Sequence, residues 1–151
     1  MKLDHSHPMN QGVIRHCGGR EGVSPIAAPA EHPDPYLQAG SHPDVVERLW
    51  DGLGSGLPVD CRALVYGTPA LVDPEIGVVL ALAFGTQYAL RVPDARLDEA
   101  LNAGCRTGQD WTGGGRTDVE EELGRGWVFG CWADDELRWV GETRASVSAP
   151  P

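Results

Sequence analysis

Apolar positions fall into three regimes along the chain. Residues 1–40 carry few large apolar side chains and five prolines, at 8, 25, 29, 33 and 35, and no helical or strand period runs through them. Such a stretch buries too little apolar surface to offset its ordering entropy, so it reads as a flexible, loosely attached N-terminal tail. From residue 43 a helical period appears: Val45, Val46, Leu49, Trp50 and Leu53 share one face, with Glu47, Arg48 and Asp51 opposite. Ser41 is placed to cap this helix, Pro43 sits where a missing N–H does no harm, Asp44 suits the positive end, and Gly52, Gly54 and Gly56 stop it.

From Cys61 the period drops to two. "CRALVYG", "ALVD", "GVVLALAF" and "TQYALRV" read as strands separated by turn residues. Residues 73–77 form a short hairpin loop ending in Gly, and Gly85-Thr86 fits a two-residue turn with Gly first. Both alternating sets of residues 78–84 are apolar, which predicts a central strand covered on both faces. In the next run Tyr88, Leu90 and Val92 alternate with Gln87 and Arg91, which predicts one wet face. Asp94 can cap a helix of roughly ten residues with Leu97, Ala100 and Leu101 inward and Gly104 as its stop. "CRTGQDWTGGGR" reads as a loop, Thr117 and Glu120 as a capping box before a short helix ending near Gly124, and "GWVFGCW" as a strong strand. Residues 136–147 fit a strand by Leu137 and Trp139 and a helix by Leu137 and Val140. The pattern predicts an α+β fold: one domain, about residues 41–147, with a mainly antiparallel sheet of four to six strands packed against two or three helices. Residues 148–151 are expected to be disordered.

His-Pro-Asp occurs twice, at 32–34 and 42–44. The first lies in the tail and reads as an extended turn element. The second is helix-starting chemistry. The tripeptide is also the loop signature by which J-domain co-chaperones engage their ATPase partner. That role needs a preceding basic helix, and "VSPIAAPAE" is neither basic nor periodic.

Composition narrows the function classes. The 151 residues carry a formal net charge of −10. Residues 1–40 hold Lys2, Arg15 and Arg20 against Asp4, Glu21, Glu31 and Asp34, leaving −9 for residues 41–151. An acidic domain repels phosphate backbones and anionic membrane surfaces and favours basic protein partners. No apolar run approaches the roughly 20 residues of a membrane span, and the N-terminus lacks the apolar core of a secretory signal. Four cysteines at 17, 61, 105 and 131, with no CxxC, suit reduced thiols in a cytoplasm. Eleven arginines against one lysine, with abundant Ala and Gly, is the usage of a GC-rich bacterial coding sequence.

Candidate chemistry is sparse. All five histidines lie at or before residue 42, and His5, His7, His16 and Cys17 lack the fixed spacing and frame of a metal site. No metal or cofactor is expected. A cysteine nucleophile needs a base, and the domain offers only His42 at a helix start. "WTGGGRTD" precedes a helix whose first turns are filled by Asp118, Glu120, Glu121 and Glu122, which would repel a phosphate. Those carboxylates, with Asp134, Asp135 and Glu136, are candidates for guiding a basic partner. Trp111 and Arg116 are the neighbouring candidate contacts. The run from His42 to Pro93 resembles a small bacterial family of proteins without an assigned activity, and the resemblance implies a domain starting near residue 41. A non-catalytic macromolecule-binding module, regulatory or toxin-neutralising, is the expected function. The alternative is a small enzyme or ligand-binding protein with a pocket near Trp111, Arg116 and Cys131.

Overall fold

Turn chemistry in the middle of the chain builds the sheet. A computed structural model describes residues 3–18, 27–29, 41–111 and 115–148. Its strands are β1 (Ala27–Pro29), β2 (Arg62–Val65), β3 (Thr68–Val72), β4 (Val79–Phe84), β5 (Gln87–Arg91), β6 (Gly108–Trp111), β7 (Gly115–Asp118) and β8 (Trp127–Phe129). Six of them form one antiparallel sheet in the order β1-β2-β3-β4-β5-β8, and β6 and β7 form a separate hairpin. Tyr66 and Gly67, with φ of 48° and 78°, make the β2–β3 turn. Positive φ at both central residues is the turn whose twist matches the strands. Gly85, at φ 62°, makes the β4–β5 turn with positive φ at the first central residue alone, the other hairpin turn of matching twist.

The helices are α1 (Gln11–Cys17), α2 (Pro43–Glu47), α3 (Leu97–Asn102), α4 (Val119–Leu123) and α5 (Glu136–Ser148). α2 runs on into a π turn, Arg48–Gly52, and a 3-10 turn, Leu53–Gly56. The fold is therefore α+β and mainly antiparallel, as the pattern predicts, but helices cover both faces of the sheet. On one face Val46, Leu49, Trp50, Trp139 and Val140 pack on Leu71, Leu80, Ala81, Leu90 and Val128. On the other, Leu3, Val13, Val119 and Leu123 pack on Val65, Val79, Leu82, Phe84, Trp127 and Phe129. β4 feeds both cores by alternation, which shifts at one point: Leu71 pairs with Ala81 but Val72 with Val79. Leu80 is the extra residue of a bulge, so Leu80 and Ala81 both face the first core.

The second layer corrects the loose-tail reading for residues 3–18; residues 19–26 and 30–40 of that stretch lie outside the described residues. Leu3, Val13 and Cys17 are buried. Buried Asn10 donates through Nδ2 to the carbonyls of Asp4 and Gly77, both at 2.8 Å, and accepts from Val79 N–H at 2.9 Å. That ties the segment to the start of β4. It also explains why β5 has no wet face near its end. Arg91 is 5% exposed, donates to the Val79 carbonyl at 2.8 Å and to that of Met9, and lies 4.7 Å from the Trp127 ring centroid.

Local corrections have local causes. His42, rather than Ser41, caps α2: its Nδ1 accepts from Asp44 N–H at 3.1 Å. His7 does the same for Met9 N–H ahead of the 3-10 turn Pro8–Asn10, so His-Pro opens a helical turn twice. The His-Pro-Asp at 32–34 lies outside the described residues, as do 149–151. Asp118 caps α4 through Glu120 and Glu121 N–H, while Thr117 belongs to β7. Pro93 precedes a 3-10 turn, Asp94–Arg96, and Leu101 faces outward at the end of α3. The expected loop at 105–116 is instead largely the β6–β7 hairpin. Residues 136–147 belong to a helix, α5.

α1 reaches α4 at a glycine. A Cβ on Gly12 would lie 2.1 Å from the Leu123 carbonyl oxygen, a backbone atom that cannot yield cheaply. Gly141, inside α5, has open space around it. Gly12→Ala is therefore expected to destabilise by at least about 2 kcal/mol through overpacking. Gly141→Ala should stabilise by about 0.5–1 kcal/mol through helix propensity alone. Urea midpoints of the two variants, moving in opposite directions at equal slope, check the pair.

Candidate functional site

The loop between β8 and α5 is pinned from beneath. Gly130 lets the backbone pass flush against Tyr88, where a Cβ would lie 1.9 Å from the ring. Glu136, in the first turn of α5, is fully buried. Its Oε1 accepts from Tyr88 Oη at 2.5 Å and from Arg48 Nη2 at 2.8 Å. Its Oε2 accepts from Cys131 N–H at 2.8 Å and faces Cys105 Sγ at 3.6 Å. Arg48 also donates to the Ala133 carbonyl at 2.8 Å, and Tyr88 Oη accepts from Trp132 N–H at 2.9 Å. Every polar atom of Glu136 has a partner, as a buried carboxylate requires.

Burial and the bonds to Glu136 act on Tyr88, Arg48 and Cys105. Burial, reinforced by the bond to Glu136, holds the Tyr88 phenol above its ordinary pKa, so it remains a donor. Burial works against the Arg48 charge, but the bonds to Glu136 and Tyr88 more than offset it and the guanidinium stays charged. The Cys105 thiol is pushed up by burial, by the Cys131 sulfur 3.1 Å away and by the Glu136 charge. Cys105, Cys131 and Glu136 offer ligand atoms within 4.8 Å of one another.

Above the network stands Trp132. It is 53% exposed and holds φ at 63°, a left-handed backbone that bulky residues rarely adopt. Its ring meets Tyr88 edge-on at 5.5 Å, and the Arg48 guanidinium lies 5.5 Å from its centroid. Trp132, Asp44, Glu47, Arg48, Asp51 and Gly52 line an open cleft of about 420 Å³. Three carboxylates thus stand along α2 and its π extension, facing one exposed aromatic.

The residues expected from sequence are scattered differently. Trp111 ends β6. Arg116, on β7, is exposed, pairs with Asp110 at 3.4 Å and shares a shallow groove with Cys105, Arg106 and Asp110. Asp118 is engaged as a helix cap, Glu120 is half-buried, Glu121 is exposed, and Glu122 contacts His16 at 2.9 Å. Asp134 and Asp135 are exposed, Asp135 lying 3.4 Å from Arg138, while Glu136 is inside. The two acidic runs do not share a surface. α4 packs on the second core and α5 on the first, so the sheet lies between them. Sequence reasoning missed Arg48, Tyr88 and Trp132 as site residues. A helical reading of 136–147 would have found Glu136, since Trp139 and Val140 stand three and four residues on, on the same buried face.

The fold and site define an α+β protein with an exposed tryptophan mounted on a buried ion-pair network. No protein-family model, curated protein or solved structure matches the chain. Among the described residues no helix is long and apolar enough to cross a membrane.

Proposed function

We propose that this protein is a non-catalytic binding module that receives a basic segment of another protein in the cleft between α2 and Trp132. The observation that carries the reading is Trp132 itself. A large aromatic held out in solvent at positive φ costs stability, and the Tyr88–Glu136–Arg48 network keeps it there. Asp44 and Glu47 opposite it supply charge for an arginine or lysine, Asp51 being paired with Arg62 at 3.0 Å, and the indole face supplies a cation–π surface. A regulatory or toxin-neutralising role fits such a module. The acidic face expected from the sequence thus becomes a cleft formed by different carboxylates.

Titration with a hexa-arginine peptide, followed by calorimetry, tests it. Binding should weaken with salt over a screening length of about 8 Å. Trp132→Ala should weaken binding about tenfold, the effect of one aromatic anchor. Glu121→Gln with Glu122→Gln, on the opposite layer, should change it less than about twofold, as charges outside the cleft do. Equal losses from the two variants would reduce the effect to general charge and overturn the cleft.

A further inference from the structure

The cleft draws on Glu136 through Oε1 and gives no part to the thiols of Cys105 and Cys131, which stand beside its Oε2. We propose that these three side chains form a mononuclear site for a soft divalent cation, with zinc the best match. The donor set is two thiolates and one carboxylate, a combination that suits zinc and leaves room for water as fourth ligand.

Geometry supports the assignment. A tetrahedral ion about 2.3 Å from each sulfur and about 2.1 Å from oxygen sets its ligands roughly 3.6–3.8 Å apart. Cys105 Sγ and Glu136 Oε2 already stand at 3.6 Å. The sulfurs, at 3.1 Å, need to part by about 0.7 Å to reach that spacing. Cys131 is the one of the two that is only half-buried, and its rotation can supply the movement.

The surroundings support it as well. Arg48 and Tyr88 both bind Glu136 Oε1, which turns Oε2 toward the sulfurs. Outer partners of this kind orient metal-ligating carboxylates. Charge also closes: a dication, two thiolates and a carboxylate sum to −1, and the Arg48 guanidinium cancels it. The three ligands come from three segments, the strap after α3, the loop after β8 and the first turn of α5. The competing use of two close thiols is a disulfide, formed with loss of two protons and two electrons to an oxidant such as a peroxide. A disulfide would leave the Glu136 carboxylate beside the sulfurs with no part in it, whereas a cation uses all three donors.

The test uses the full chain, reduced and stripped with a chelator, then titrated with cobalt(II). One equivalent should bind, with near-ultraviolet thiolate-to-cobalt absorption and visible bands of tetrahedral intensity. Zinc should displace it. Cys131→Ser should abolish half of the charge-transfer intensity or more. It should weaken binding beyond the 10–100-fold that loss of a supporting residue costs. Cys131→His should retain a bound ion, and Cys61→Ser should bind as the parent does. Circular dichroism confirms the fold of each variant. Less than a tenth of an equivalent bound by the folded, reduced parent would overturn the site. So would binding indifferent to Cys131→Ser, or a parent isolated two hydrogens lighter with Cys105 joined to Cys131. Because no peptide enters the experiment, its outcome is separate from that of the cleft.

Discussion

A chain lacking residues 1–18 is expected to melt about 10–20 °C below the 151-residue chain, or to fail to fold. The segment supplies one helix of the second layer. Leu3 and Val13 are fully or nearly fully buried in it, each contributing about 1.5–3 kcal/mol. Asn10 adds three hydrogen bonds to the backbone of Asp4, Gly77 and Val79, each about 1 kcal/mol. Removing the segment also bares Val79, Leu82 and Phe84 on the sheet. A loss of about 5 kcal/mol or more is comparable with the whole stability of a typical domain. At about 2–4 °C per kcal/mol for a chain of this size, the fall follows. Thermal unfolding of the truncated and full chains decides the matter. A midpoint unchanged within two or three degrees would mean that the second face is covered without these residues.

Glu136→Ala is expected to cost about 3–5 kcal/mol, the usual penalty for breaking a buried ion pair from one side. It strands the Arg48 guanidinium, the Tyr88 hydroxyl and the Cys131 N–H at once. The double variant Arg48→Met with Glu136→Met should recover part of that loss, because it removes the unpaired buried charge while the Tyr88 hydroxyl and the Cys131 N–H stay without their acceptor. It should not recover peptide binding, because the cleft loses the network that holds Trp132. Urea denaturation of the single and double variants, with the slopes compared, measures the coupling. A single variant within about 1 kcal/mol of the parent would mean that the network is not closed as described.

The sheet was legible where turn chemistry and alternation agree. Residues 62–91 show both, and β4 is apolar on both alternating sets because it faces two cores. The N-terminal segment was illegible because it needs only a few apolar side chains to cover its part of one sheet face. Its strongest tether, Asn10, is polar and carries no periodic signal. The wet face read for β5 was a consequence of the same omission, since Met9 is what meets Arg91. The β6–β7 hairpin escaped because "GQDW" and "GRTD" alternate nothing apolar. The site was illegible for a different reason. Arg48, Tyr88, Cys105, Cys131 and Glu136 come from five separated stretches, and Glu136 is the last of three consecutive acids. A charge run reads as a solvated face until the helix phase shows that one member points inward.

The tether between Asn10 and β4 also orders events during synthesis. Its partners lie 67 and 69 residues downstream, and the seat of Gly12 on Leu123 lies farther still. α1 leaves the ribosome before the strand and helix it docks on and is therefore among the last of the described elements to be seated. Until then the β2–β5 meander, which closes through short turns, presents Val79, Leu82 and Phe84 with only part of their cover. Non-local closures of this kind are slow, and the open intermediate is the species most exposed to self-association. The nascent chain thus depends on a segment made well before the surfaces that it covers.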